Sequence, residues 1–186
     1  ERDAFFDIKI SPDGKHLAAN MPVERGTALF MLDTETLAKR GHFYVGRDLE
    51  VADFWWASSE RLLISAAQRF LGDEAPSFTG EIFAVNVDGN QATALVGYRA
   101  DDGRRHSRIK NRESERVWAY PIDLLPGAER HALIQIEPWS TRTSNFASIE
   151  RLDTLTGRRS RVAMSPVTRA GFLTDAEGNL RFAQGL

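Results

Sequence analysis

Ile10-Ser11-Pro12-Asp13-Gly14-Lys15-His16-Leu17-Ala18-Ala19 is a polar turn that runs directly into an apolar strand. Pro12 presets the backbone for a turn, Ser11 and Asp13 can hydrogen-bond main chain nearby, and Gly14 tolerates a positive φ. The same order returns in Ser58-Ser59-Glu60-Arg61-Leu62-Leu63-Ile64-Ser65 and in Pro126-Gly127-Ala128-Glu129-Arg130-His131-Ala132-Leu133-Ile134. It returns once more in Asp175-Ala176-Glu177-Gly178-Asn179-Leu180-Arg181-Phe182. A second motif follows in mirror order, an apolar strand entering a polar turn: Leu29-Phe30-Met31-Leu32-Asp33-Thr34-Glu35-Thr36. Its counterparts are Ile82 to Gly89 and Ile149 to Gly157, which place Asp33, Asn86 and Asp153 at matching points, 53 and then 67 residues apart. The chain reads as an array of small antiparallel sheets.

A period of about 45 to 70 residues is the spacing of a propeller or a similar array. The apolar runs favour strands over helices, because they are short, rich in Phe, Ile, Leu and Val, and bounded by Gly, Asp, Asn and Pro. Runs such as Ala28 to Leu32, Leu62 to Ala67 and Ala132 to Ile136 are nearly continuous rather than alternating. That pattern suits strands covered on both faces, as in stacked blades, whereas a two-sheet sandwich more often leaves one polar face. The expected fold is therefore all-β, a partial β-propeller of about three antiparallel blades plus the start of a fourth. The units fall at about 5–43, 50–97, 117–163 and, incomplete, 169–186.

Between the second and third units lies an insertion from Tyr98 to Arg116, with seven basic and four acidic side chains. Its mixed charge and few apolar residues suggest a mobile, solvated or partner-facing loop, dispensable for the fold. A net charge of −2 provides no global field for nucleic acid. The absence of cysteine excludes a disulfide framework, a thiolate metal site and a cysteine nucleophile. No apolar run approaches the ~18 residues that span a bilayer as a helix. The start on Glu1, without a basic or apolar leader, suggests a piece of a longer protein.

The chemistry-bearing motifs are missing. There is no Gly-x-Ser-x-Gly elbow, no His-Glu-x-x-His and no Gly-x-x-x-x-Gly-Lys. His16, His42, His106 and His131 are isolated from one another and read as turn or surface residues. Asp175 to Asn179 alternates oxygen ligands but lacks the length and closing Glu of a calcium loop, so it reads as a tight hairpin turn. In Phe54-Trp55-Trp56, successive strand residues point opposite ways, so the two indoles are expected to pack on opposite sides of one sheet rather than form a stacking platform. No catalytic, cofactor-binding or metal-ligating residue is assigned.

The stretch ISPDGKHLAA resembles the repeat shared by Tol-associated propellers and the N-terminal propellers of prolyl oligopeptidase-family serine peptidases. Longer segments narrow this. Phe54 to Ser65, then Pro76 to Gly89, then Leu95-Val96-Gly97-Tyr98-Arg99 are similar in order to bacterial dipeptidyl- or acylaminoacyl-peptidase-like members, and Leu152 to Arg159 and Phe172 to Asp175 continue the likeness. The resemblance implies an N-terminal propeller of about seven or eight blades over a C-terminal α/β-hydrolase domain that carries Ser, Asp and His and is absent from this chain. The propeller would gate and filter peptide substrates for that domain. No catalytic residue, cofactor or metal transfers to this chain. Its partners would be the hydrolase domain and peptides, without nucleic acid or a membrane span, and the piece alone would self-associate. The alternative is a non-enzymatic, protein-binding propeller of the Tol-associated type. The compartment, periplasmic or cytoplasmic in a bacterium, stays open.

Overall fold

The computed structural model describes residues 7–24, 26–46, 49–70, 75–98, 114–125, 127–128, 130–139 and 146–185. Most of the insertion noted above, residues 99–113, lies outside them, as do residues 71–74. Fourteen strands and no helix occur among the described residues. Among the described residues no helix is long and apolar enough to cross a membrane.

The strands form four antiparallel sheets in chain order. The first holds β1 (Asp7–Ile10), β2 (His16–Pro22), β3 (Thr27–Asp33) and β4 (Lys39–Tyr44). The second holds β5 (Leu49–Ser58), β6 (Arg61–Gln68), β7 (Ser77–Asn86) and β8 (Thr93–Val96). The third holds β9 (Val117–Asp123), β10 (His131–Pro138), β11 (Ser148–Asp153) and β12 (Arg159–Met164). The fourth is a hairpin of β13 (Gly171–Thr174) and β14 (Leu180–Gln184). Within each sheet every strand pairs only with its sequence neighbours.

Turn chemistry sets these meanders. The Asp33 carboxylate accepts the backbone N–H groups of Glu35 and Thr36 at 3.2 and 2.9 Å, and Asp153 accepts those of Leu155 and Thr156, both at 2.9 Å. The register then places His16 opposite Asp33, Arg61 opposite Asn86, and His131 opposite Asp153. The residue after each turn acid or amide closes the same bond: the N–H of Thr34, Val87 and Thr154 donates to the carbonyl of Lys15, Glu60 and Arg130 at 2.9, 2.9 and 2.8 Å.

The sheets stack face on face. Ala18, Leu29, Met31 and Phe43 of the first share a buried cluster with Phe54, Trp56, Leu62, Ile64, Phe83 and Val85 of the second. The opposite face of the second, through Leu63, Ile82, Ala84 and Leu95, shares another with Ala119, Ala132, Ile134, Ile136 and Leu152 of the third. Each fully buried Leu, Ile or Phe contributes about 1.5–3 kcal/mol. Trp56 belongs to the first cluster and Trp55 packs against the second, the opposed placement that strand alternation demands. Close approach is enforced at Gly41 in β4: a Cβ there would sit 2.5 Å from the main chain of Asp88 and Gly89. The hairpin meets the third sheet at β9, where the Thr174 hydroxyl donates to the Asp123 carboxylate.

Candidate functional site

Antiparallel order sorts the connections onto two rims. One rim carries the turns at 11–15, 34–38, 59–60, 87–92, 124–130, 154–158 and 175–179. The other carries the connections at 23–26, 45–48, 69–76, 97–116, 139–147 and 165–170, including the three longest. Long loops on a rigid scaffold are where binding residues gather.

A cleft of ≈400 Å³ opens on that second rim, between the second and third sheets, lined by Gln68, Phe70, Ser77, Phe78, Thr79, Tyr98, Trp118 and Trp139. Gly80, at φ +77°, lets the two sheets meet here, because a Cβ on it would lie 2.6 Å from both Cα and Cδ1 of Trp118. The aromatic rings interlock. Phe78 stacks on Tyr120 at 4.8 Å between centroids, and Trp139 meets Tyr98 at 5.1 Å and Trp118 at 5.8 Å. Main-chain bonds hold their bases: Trp139 N–H donates to Arg116 at 3.1 Å, and Glu115 N–H donates to Gly97 at 3.0 Å. The Thr79 hydroxyl ties the floor to Ala66 at 3.0 Å. Burial, with Glu137 nearby, pushes the Tyr120 phenol up from its ordinary range, so it stays neutral at physiological pH. The indole Nε1 of Trp139 is buried without a hydrogen-bond partner.

Chemically, this cleft can hold an apolar or aromatic group between rings, with amide and hydroxyl groups at its edge. It brings no nucleophile next to a base. Among the described residues, no group of three or more His, Asp or Glu side chains is placed to hold a metal.

A second cleft of ≈560 Å³, lined by Leu95, Glu115, Glu150, Gly157, Arg158, Arg159 and Arg161, lies between the same sheets. There Arg159 pairs with Glu115 at 2.6 Å and Glu150 at 3.3 Å, and Arg158 and Arg161 leave the lining with an excess of one positive charge.

The histidines need one correction. His16 is neither a turn nor a surface residue: it opens β2, is buried, and stacks on Trp56 with centroids 6.4 Å apart. The flat ring fits the junction of the first two sheets and leaves Nε2 3.5 Å from Glu60. Its neighbours Ser11 and Asp13 resemble a nucleophile set in composition only. The Ser11 hydroxyl donates to Asp13 at 2.7 Å and accepts the His16 backbone N–H at 3.0 Å, which is turn capping. His42 is exposed and stacks on Phe30, His131 is half-buried at the start of β10, and His106 lies outside the described residues.

The aromatic cleft was not legible beforehand, since its residues come from the ends of β6, β7, β9 and β10 and from Tyr98. The available signal was positional: Trp118 and Trp139 flank the strand pair that borders the two longest connections. No protein-family model matches this chain, and no curated protein matches it.

Proposed function

We propose that this chain is the non-catalytic part of a β-propeller, three blades and the start of a fourth, that gates and filters peptide substrates for the serine-peptidase domain of a prolyl oligopeptidase-family enzyme. The observation that carries the reading is the repeated four-stranded meander, stacked face on face in chain order, together with the ordered sequence likeness along nearly the whole chain. Stacked blades of this kind surround a channel and present loops at its mouth. The aromatic cleft on the long-loop rim suits the apolar or aromatic side chain of a passing peptide. Ser, Asp and His for hydrolysis would come from a separate α/β-hydrolase domain.

The test is the coding sequence beyond Leu186. A downstream α/β-hydrolase domain with Gly-x-Ser-x-Gly, followed by Asp and His in that order, supports the proposal. Further propeller repeats joined to no hydrolase overturn it, and leave the protein-binding propeller as the better account.

A further inference from the structure

The charged cleft of ≈560 Å³ between the second and third sheets is separate from the aromatic one, since the two share no lining residue. Its cations come from one hairpin. β11 and β12 pair Leu152 with Arg159 and Glu150 with Arg161. Both arginines therefore stand on the face that Leu152 buries against the second sheet. Arg158, in the turn before β12, and Leu95 of β8 add to the walls.

Arg159 is oriented from two sides. Its Nη2 donates to Glu115 Oε2 at 2.6 Å, and its Nε lies 3.3 Å from Glu150 Oε2. Glu150 is fixed in turn, because its Oε1 accepts the Ser148 hydroxyl at 2.9 Å. The remaining nitrogen of Arg159, Nη1, is buried and has no hydrogen-bond partner among the described residues. A guanidinium carries five N–H donors in a rigid fork, and buried donors are ordinarily paired. Arg158 and Arg161 are exposed, and among the described residues no hydrogen bond or ion pair engages their side chains. Three arginines against two glutamates leave the lining one positive charge in excess.

We propose that this cleft binds a monocarboxylate, whose oxygens accept from Arg159 Nη1 and from the Arg158 and Arg161 guanidiniums, with its apolar part against Leu95. The charge sets the class: one negative charge balances the lining, whereas a phosphate monoester, closer to a dianion at neutral pH, exceeds it. The planar guanidinium fork also matches a planar carboxylate. The volume lies within the range of small-molecule sites, so the ligand is an organic acid or the C-terminal carboxylate of a short peptide. This inference rests on the cleft alone and stands whether or not the peptidase reading does.

The experiment is a nitrogen-edited NMR titration of the full chain, without phosphate or carboxylate buffers. The probes are N-acetylleucine, its neutral amide N-acetylleucinamide, hexanoate and inorganic phosphate. N-acetylleucine should bind and move the arginine Nε–H signals, phosphate should bind more weakly, and the amide should not bind. Arg158→Gln and Arg161→Gln should each weaken N-acetylleucine about 10-fold, with the Tm unchanged because both side chains are exposed. Arg40→Gln, at an exposed position of the first sheet, removes the same charge and should leave binding unchanged. Hexanoate separates the sources: binding equal to N-acetylleucine assigns organic acids, weaker binding assigns peptide C termini, and both support the site. No binding of either acid up to about 10 mM overturns the proposal. So does equal binding of the amide, tighter binding of phosphate, full affinity in both Arg158→Gln and Arg161→Gln, or an equal loss in Arg40→Gln.

Discussion

Arg61, at the start of β6, donates from Nε to the main-chain carbonyl of Thr154 at 3.0 Å, across 93 positions of sequence and from the second sheet to the third. Its side chain reaches Asn86 Oδ1 at 2.5 Å and the Gln91 carbonyl at 3.4 Å, and the residue is 3% exposed. Burial pulls the guanidinium down to about 10, partly offset by Asp153 nearby, yet it remains charged at neutral pH. The cation is held by carbonyl and amide oxygens. Removing it leaves those acceptors buried without a donor. Arg61→Ala should therefore cost about 2–4 kcal/mol in urea unfolding, with Arg61→Lys in between because the forked donor set is lost. A change under about 0.5 kcal/mol would mean that the contact does not hold the sheets together.

Gly80→Ala should lower stability by about 2–3 kcal/mol, since it combines a positive φ with a Cβ driven into the Trp118 backbone. The cleft would open at the same point. Tryptophan emission should shift to the red in the folded variant, and unchanged emission with unchanged stability would contradict the close approach.

Two indoles invite opposite outcomes. Trp56 Nε1 donates to the Lys9 carbonyl at 3.1 Å, whereas Trp139 Nε1 is buried without a partner. Trp56→Phe should cost about 1–3 kcal/mol, and Trp139→Phe should stay within about 1 kcal/mol of wild type, because relief of the unpaired donor offsets the smaller ring. Thermal denaturation of the pair checks the ordering.

Acid should weaken the protein in a defined window. Burial works against the charge of Asp153, but the Arg130 side chain and the N–H groups of Thr156 and Leu155 outweigh it and hold the carboxyl well below the usual range. Asp175 is brought down to about 2 by the Asn179 backbone N–H, with burial opposing and the Asn179 and Arg181 side chains assisting. Asp13, Asp33 and Asp88 are lowered by their own turns. A carboxylate with a depressed folded pKa adds stability that is complete above its unfolded value, ~3.9, and is lost as pH falls through the folded one. The Tm should stay flat from about pH 8 to 5 and drop below about pH 4. Asp153→Asn should lower the Tm at pH 7 and flatten that drop.

The chain alone should hydrolyse neither aminoacyl-nitroanilides nor simple esters, since no serine hydroxyl among the described residues is bonded to a histidine side chain. Ser11 and Ser148 donate only to the carboxylates of Asp13 and Glu150, two residues on in the same strand or turn. Steady turnover blocked by a serine-directed phosphonate would contradict this.

The sequence by itself determined the local architecture. Pro12, Gly14 and Gly178 mark turns; Asp33, Asn86 and Asp153 close them; and the apolar runs between had to be strands, because these signals act within a few residues. Side-chain alternation also placed Trp55 and Trp56 on opposite sides of one sheet. Only the tertiary structure decided which face meets which. His16 is buried because Trp56 of the next sheet lies over it, and Arg61 is satisfied by Thr154 from a strand far downstream. The aromatic cleft exists because Gly80 lets Trp118 approach across a sheet junction. Burial, hydrogen-bond partners and clefts at such junctions depend on packing between segments many tens of residues apart, and no period of two or turn signature encodes that neighbourhood.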